Sequence, residues 1–443
     1  MAVAGGVLFS CTHAGRRIPS VSPSVSTTLQ TRWPIKQVIY VMLENRSFDN
    51  LFGRFPGVEG ATTGVKYGKE VPLIACPDWL PGDLPHDRAG FLNCVNGGAY
   101  DGFATGIYGD PWAYSQFGEH QVPNYWQWAR DYVVSDHFFA SEAGPSYPNH
   151  FFFIAGTSGG AIDNPENILS RPPPKGMKDP FKSWGCDAVG EDVFVFTKDE
   201  HGNLAKHDSC FSFPTVGEQL SAHGVDWTFY AAVPGQVGYF WNAYNGIHDV
   251  FHDRGYFNAH TRPVDGLIKD IEANRLPSVS WVTPIFQLSD HPPVSSAFTH
   301  NWISSVVSAV MKSDMWDQTA IFLTWDEWGG LYDHVRPPQV DEVGFGFRVP
   351  LLTISPYARR GLVDDVVGEF STPLRFISDN WGLPYLTDRI RNAHNFEHVF
   401  DFGHGPRAPQ LATKTVKTFG NPYQFPKDFP GWPPGTVPQV NPF

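Results

Sequence analysis

IKQVIYVMLENRSFDNLFG, residues 35–53, runs from a short apolar stretch straight into four polar side chains, Glu44, Asn45, Arg46 and Ser47. Val38 to Leu43 has the length and the β-branched, aromatic content of a strand buried on both faces, the kind found inside parallel sheets. A carboxylate and a carboxamide then stand at its carboxyl end, the edge at which open α/β sheets place their ligands. A second stretch repeats the pattern. TAIFLTWDEWGGLYDHV, residues 319–335, is an apolar strand that ends in Asp326 and Glu327, followed by Gly329-Gly330 and Asp333-His334. If the two strands are neighbours, Glu44, Asn45, Asp326 and Glu327 converge at one edge, and acids that close together require a cation or shifted pKa values. Oxygen ligands favour a hard divalent ion such as Mg²⁺, Ca²⁺ or Mn²⁺. The competing reading is structural, with each acid capping a helix or pairing with an arginine.

The rest of the chain alternates strand and helix patterns. Pro123 opens a helix over Asn124 to Val134. Thr215 and Glu218 form a capping box for a helix stopped at Gly224, and VDWTFYA, residues 225–231, reads as a strand. A helix over 264–275, a strand over 278–283 and a helix over 301–313 follow; the last puts Trp302, Ile303, Val306, Val307, Val310 and Met311 on one face. Strands over 319–325 and 348–354 precede a helix that begins at Thr372-Pro373 and stops at Gly382. This alternation predicts an α/β fold, a mainly parallel central sheet flanked by helices on both faces. Residues 1–30 read as a leader, 31–405 as the main domain, and 54–122 and 171–214 as irregular insertions that form a cap of loops. Residues 406–443 read as an extended proline-rich tail.

Composition narrows the possible partners. With 32 Lys+Arg against 45 Asp+Glu the chain carries a formal charge of −13, which repels a nucleic-acid backbone. No stretch is long and apolar enough to span a bilayer. Thirty-nine prolines and 43 glycines describe a heavily looped protein whose loops carry specificity. Cys76 with Cys94, and Cys186 with Cys210, each flank a loop that a disulfide could close, as suits an oxidising compartment. Cys11 follows AVAGGVLFS, which faintly resembles a lipoprotein signal but has no basic segment before it. A secreted or cell-envelope location is the expectation, with buried thiols in a cytoplasmic enzyme as the alternative.

Further groups could complete a phosphoryl-transfer site. AGPSYPNHFFFIAGTSGG, residues 143–160, sets Ser146 in a Gly-Pro loop leading into an aromatic helix, so its hydroxyl could stand beside a metal at a helix N-terminus. QLSDHPPVS, residues 287–295, carries His291 on a Pro-Pro loop, and LPHDRAG places His86 in the cap. A lone loop histidine is more often simply solvated. Asn45-Arg46-Ser47 is also a glycosylation sequon at an unfavourable strand-end position. Walker, HExxH and paired CxxC motifs are absent, which disfavours P-loop, zincin and zinc-finger chemistry.

Together VMLENRSFDNLFG, VSDHFFASEAGPSYPNHFFFIAGTSG, SDHPP, FLTWDEWGGLYDHV and GFRVPLLTISPYARRG resemble the phosphoesterase family of bacterial phospholipases C, related acid phosphatases and plant non-specific phospholipases C. They stand in the same order, from about residue 35 to 400. The resemblance implies an alkaline-phosphatase-like core over residues 31–405 and a covalent mechanism through phosphoserine. Glu44, Asn45, Asp326, Glu327 and Ser146 would hold one divalent metal ion, Ser146 would be the nucleophile, His86 and His291 would surround the phosphate, and His334 would be a third catalytic histidine. The implied reaction is hydrolysis of a phosphate ester, first a phosphatidylcholine-type lipid met in transient contact with a membrane surface. The alternatives are small phosphomonoesters, as for an acid phosphatase, or a secreted binding protein without catalysis, against which the intact residue set speaks. Plant members carry Thr at the position of Ser146, a compatible hydroxyl, and His at that of Trp328, so any proton transfer there is missing. The extra C-terminal domains of the large haemolytic members do not follow the core, so potent membrane lysis is not expected.

Overall fold

The computed structural model of the chain describes residues 30–175 and 180–417; Cys11, the leader and the stretch from 420 lie outside the described residues. Eight strands form one sheet. In chain order they are β1 (Gln37–Leu43), β2 (Val133–Ser135), β3 (Trp227–Ala231), β4 (Thr261–Pro263), β5 (Val279–Val282), β6 (Thr319–Trp325), β7 (Leu351–Ile354) and β8 (Leu362–Asp364). Their spatial order is β4-β3-β5-β1-β6-β7-β2-β8. All neighbours run parallel except β7, which is antiparallel to both β6 and β2. The fold is thus α/β with a mainly parallel sheet, as the alternating pattern predicts.

Every residue of β1 from Val38 to Leu43 is fully buried, so both faces of the sheet are covered. Tyr40 of β1 lies opposite Trp281 of β5 and Phe322 of β6. On that face α4 (Ser146–Ala155) packs through Phe153, whose ring is 4.4 Å from Tyr40 and whose carbonyl accepts Trp281 Nε1 at 3.0 Å. Helix α8 (Ser371–Trp381) joins it, with Phe376 5.4 Å from Phe322. On the other face Tyr125 of α3 (Pro123–Asp131) meets Trp325 at 5.5 Å. Helix α7 (Ser296–Lys312) lies beside α3, with His300 Nε2 accepting the Asn124 N–H at 3.1 Å.

Several boundaries differ from those read in the sequence. The helix expected over Asn124 to Val134 stops at Asp131, because Tyr132 leaves the helical region (φ −135°, ψ −137°). Val133 and Val134 then pair with β7 and β8 instead, as β-branched residues do readily. The helix over 264–275 is a 3₁₀ turn at Val264–Gly266 followed by α6 (Leu267–Glu272), and the helix over 301–313 begins earlier, at Ser296. The capping box of Thr215 and Glu218 is present at α5 (Val216–Ala222). Insertion 54–122 contributes a hairpin, Thr63–Lys66 with Lys69–Pro72, and helix α2 (Arg88–Val95). Insertion 171–214 contributes Val195–Lys198 with Leu204–His207 and is tied by the disulfide Cys186–Cys210. The Cys76–Cys94 pairing does not form; both are free, buried thiols. Each is held in its own packing, and burial pushes the Cys94 thiol up to about 12.

One buried guanidinium ties the loops at the sheet edge together. Arg348 is fully buried, donates to Asp333 Oδ1 at 2.8 Å and Asp49 Oδ1 at 3.4 Å, and reaches the carbonyls of Glu59 and Asp136, each at 2.8 Å. Asp49 follows β1 in α1 (Phe48–Phe52), and Asp333 follows β6. Removing one partner of such a cluster strands uncompensated charge. Arg348→Ala should therefore lower unfolding stability by about 3–5 kcal/mol, read as a shifted urea midpoint, and a change below ~1 kcal/mol would show that the acids are satisfied without it.

Candidate active site

The parallel register of β1 and β6 pairs Leu43 with Trp325, so the next residues, Glu44 and Asp326, leave the sheet side by side. Asp326 N–H donates to Leu43 O at 2.9 Å, and Asp326 Oδ1 accepts the Asn45 N–H at 2.9 Å. Asn45 holds a left-handed backbone (φ 61°), which asparagine tolerates better than most residues. Gly329 packs against it so closely that a Cβ there would lie 2.7 Å from Asn45 O. On the other side of β1, Glu44 N–H donates to Ser289 O at 2.7 Å, which fixes the loop carrying His291. Three neighbouring parallel strands, β5, β1 and β6, thus deliver their polar ends to one edge.

Glu44, Asp326 and Glu327 are all fully buried. Asp326 Oδ2, Glu327 Oε1 and Asn45 Oδ1 have no hydrogen-bond partner, although buried oxygens almost always find one. Burial, then the neighbouring Asp326 carboxylate, pushes Glu44 well above the usual carboxylate range; burial does the same to Glu327 despite the opposing pull of His86. Orphaned carboxylate and carboxamide oxygens at the ends of neighbouring strands fit a divalent cation, and donors of this type suit a hard one.

Ser146 begins α4, is 1% exposed, and donates from Oγ to Glu44 Oε2 at 3.4 Å. Four residues on, the same helix face carries His150, whose Nε2 lies 2.9 Å from Glu44 Oε1 and 3.8 Å from Asp326 Oδ2. Burial holds this imidazole down at about 4, so at neutral pH it is uncharged and shares a hydrogen bond with Glu44. His150 was not among the residues singled out from the sequence; the i, i+4 spacing from Ser146 in SYPNH is the signal that marks it.

His86 and His291 meet over the acids, their ring centroids 5.5 Å apart. His86 Nδ1 contacts Leu84 O at 2.7 Å and its Nε2 lies 3.4 Å from Asn45 Nδ2. His291 Nδ1 contacts Pro292 O at 2.6 Å. Asp83, also unmarked in the sequence, reaches both rings, 3.4 Å from His86 Nδ1 and 4.0 Å from His291 Nε2. Burial lowers both imidazoles, but the Asp83 and Glu327 carboxylates outweigh it at His86 and lift that ring to about 9, while His291 stays lowered. At neutral pH the pair is one cation and one free base.

One expected residue lies elsewhere. His334 does not join this cluster: its backbone and ring nitrogens bind Asp49, at 2.9 and 2.6 Å, within the Arg348 network. Trp328 is buried edge-on to Phe91 of α2, 5.6 Å away, a packing role without proton transfer. Asn45 is fully buried, which closes its sequon to a glycan.

The model described as the phosphoesterase family matches residues 35–384. The chain belongs to the phosphoesterase family. Within it, a hemolytic phospholipase C of Pseudomonas aeruginosa is 25% identical over 436 residues, covering 83% of this chain and 55% of that protein. Non-specific phospholipase C6 of Arabidopsis thaliana is 24% identical over 379 residues, covering 75% of this chain and 64% of that protein. The chain therefore spans just over half the length of one of these phosphoesterase relatives and just under two thirds of the other. A solved structure described as a protein in the alkaline phosphatase superfamily from Vibrio parahaemolyticus aligns with a TM-score of 0.38 at 10% identity, over 84% of this chain and 74% of that one.

The raised carboxylates make a stability prediction with a definite sign. Groups whose folded pKa lies above the usual 4.5 stabilise the fold fully below that value, and the contribution is lost as pH rises through the folded pKa. Metal-stripped protein should therefore lose Tm as pH rises above the ordinary carboxylate range through these raised values, and a divalent cation added where Tm has fallen should restore it. In Glu44→Gln with Glu327→Gln both effects should shrink. Identical pH profiles for the stripped wild type and the double variant would show that protein groups already neutralise these acids.

Proposed function

We propose that this phosphoesterase is a hydrolase of phosphoric esters that acts through a phosphoserine at Ser146, in the manner of a phospholipase C on phosphatidylcholine-type lipids. The observation that carries the reading is the placement of Ser146 Oγ, at a helix N-terminus and 3.4 Å from Glu44, whose neighbour Asp326 has an orphaned carboxylate oxygen. The phospholipase C names of the relatives support the substrate class.

Glu44, Asn45, Asp326 and Glu327 would hold one divalent cation, Ca²⁺, Mg²⁺ or Mn²⁺ by their donor type. When bound, such an ion supplies Lewis-acid stabilisation of phosphoryl oxygens and acidifies a nearby hydroxyl. Ser146 Oγ, having released its proton to solvent, forms the bond to phosphorus as the bond from phosphorus to the alcohol oxygen breaks. His86, cationic at neutral pH, faces the developing negative charge and gives its proton to the departing alcohol, diacylglycerol for a phospholipid. In the second half, water forms a bond to phosphorus as the bond to Ser146 Oγ breaks, neutral His291 accepts the water's proton, and Ser146 leaves as the alkoxide that began the cycle; the proton on His291 returns through water to His86, and the phosphorylated head group is released. His150 holds Glu44 in place and exchanges no proton in this scheme.

Access is from the cap side, where Asp83, His86 and His291 reach the surface; a cavity of about 1090 Å³ lined by Pro77, Trp79 and Phe117 lies apart from the cluster. Phe286, partly exposed, stands 5.2 Å from the His291 ring and offers a π face of the kind that binds quaternary ammonium groups, with the buried Trp241 stacked behind it. No helix among the described residues is long and apolar enough to cross a membrane, so lipid would be met by transient contact. The Cys186–Cys210 disulfide suits a secreted or cell-envelope protein.

Removing the nucleophile separates covalent catalysis from direct attack by water. Ser146→Ala should lose at least about three orders of magnitude in kcat while keeping its metal, and Ser146→Thr should keep measurable activity. Acid-quenched wild type should carry phosphate on the peptide containing Ser146. Near-normal turnover in metal-loaded Ser146→Ala would withdraw the phosphoserine. A second measurement addresses substrate: phosphatidylcholine vesicles and p-nitrophenyl phosphorylcholine should be turned over faster than p-nitrophenyl phosphate, and the reverse order would make the protein an acid phosphatase.

A further inference from the structure

Apart from the strand-end acids, a second group of metal-competent side chains gathers at the outer end of the Arg348 network. Glu59, on the loop after α1, has a side chain that is 56% exposed, and two imidazoles face it. His137 Nε2 lies 3.3 Å from Glu59 Oε2, and His334 Nε2 lies 3.9 Å from Glu59 Oε1. Each ring is oriented from behind by a carboxylate. His137 Nδ1 is 3.0 Å from Asp136 Oδ1, and His334 Nδ1 is 2.6 Å from Asp49 Oδ2. Arg348 Nη2 also lies 3.3 Å from His334 Nδ1, but it is itself a donor, so the bond to Asp49 is the one that orients the ring. A carboxylate accepts the Nδ1 hydrogen and thereby leaves the Nε2 lone pair facing outward, the arrangement that orients metal-ligating imidazoles and strengthens them as ligands.

The supporting acids are themselves fixed. Asp136 Oδ2 accepts the Glu59 N–H at 2.7 Å, and Asp49 accepts the Ala61 N–H at 3.0 Å. Arg348 binds the carbonyls of both Glu59 and Asp136. Three chain segments, after α1, β2 and β6, therefore present one donor each on a common scaffold.

We propose that Glu59, His137 and His334 form a second cation site, selective for a transition-series divalent ion such as Zn²⁺. Two imidazoles and one carboxylate with solvent-facing positions to spare are a zinc donor set, unlike the oxygen-dominated set at the strand ends. With both Nδ1 atoms hydrogen-bonded to acids, the two Nε2 atoms face the two oxygens of one carboxylate; a proton can bridge only one of these contacts at a time, whereas a divalent ion drawn between the rings would serve both imidazoles and Glu59. Reaching nitrogen–zinc distances of about 2.0–2.1 Å requires Glu59 to swing and the rings to tilt about their Nδ1 contacts. Bound there, the ion would clip the loop after α1 to the ends of β2 and β6.

The test uses the full chain, stripped with a chelator and titrated with ZnCl₂ at about pH 8, above the ordinary imidazole pKa; because burial of His334 is outweighed by Asp49 and Asp333, which raise its pKa, Zn²⁺ binding there should also release a proton. Wild type should bind one more equivalent of Zn²⁺ than His137→Gln or Glu59→Gln, or bind that equivalent at least about tenfold more tightly. Crystals soaked in Zn²⁺ should show an anomalous peak between the Nε2 atoms of His137 and His334. Equal stoichiometry and affinity in all three proteins, or Zn²⁺ found only at the strand ends, would leave a proton-bridged ion pair and overturn the proposal. Ester hydrolysis is not the readout, so failure here is distinct from failure of the phosphoesterase mechanism.

Discussion

Mutual repulsion of the acids at the ends of β1 and β6 sets the terms for everything around them. Ligand oxygens of Glu44 and Asp326 lie within 4.8 Å of each other, where two unit charges repel by roughly 3–4 kcal/mol even at an effective dielectric constant of about 20. No arginine or lysine answers them among the described residues; their recorded neighbours are Ser146, neutral His150 and His86. The parallel register that creates the repulsion also supplies rigidity, since a shift of one residue would turn Glu44 to the other face. A site that is both strained by charge and immobile is suited to hold a cation in one fixed place.

The same motifs contain a second pair of buried acids with the opposite fate. Asp49 lies five residues beyond Glu44 and Asp333 seven beyond Asp326, and both are buried, yet Arg348 neutralises them and their oxygens are filled by backbone N–H groups. A paired acid of this kind holds loops together; an orphaned one invites a ligand. This distinction explains why His334, adjacent to Asp333, belongs to the scaffold although it stands within a motif of the active-site strand. The scaffold matters to the site because Asp49 and Asp333 lie on the segments that leave Glu44 and Asp326.

Long buried strands were legible in the sequence because β1 and β6 are unbroken apolar runs with acids at one end, and the paired ends gave the cluster of Glu44, Asn45, Asp326 and Glu327. Ser146 and His291 were visible from the Gly-Pro and Pro-Pro turns that flank them. The three-residue strands β2, β4 and β8 were not, since three residues carry too little periodicity and Val133 continues a helix pattern begun at Pro123. Asp83 was hidden in an insertion without periodicity, where only the tertiary fold brings it to His86. Cys76 and Cys94 were equally beyond reach, because loop spacing says nothing about where two thiols finally pack.

His86 and His291 show how position alone divides one chemistry into two roles. Both are imidazoles from loops over the acids, and burial pulls both toward the neutral form. Asp83 contacts Nδ1 of His86 at 3.4 Å but only the far nitrogen of His291, at 4.0 Å, and Glu327 adds its field to the first ring. One histidine therefore holds a proton that the other lacks, the division that an acid step followed by a base step requires. Asp83 is 46% exposed, so water and salt weaken its hold on His86 while the mouth is open. Covering the mouth would displace that water and strengthen the Asp83–His86 attraction, so in the mechanism we propose His86 would keep its charge while a phosphate ester is bound.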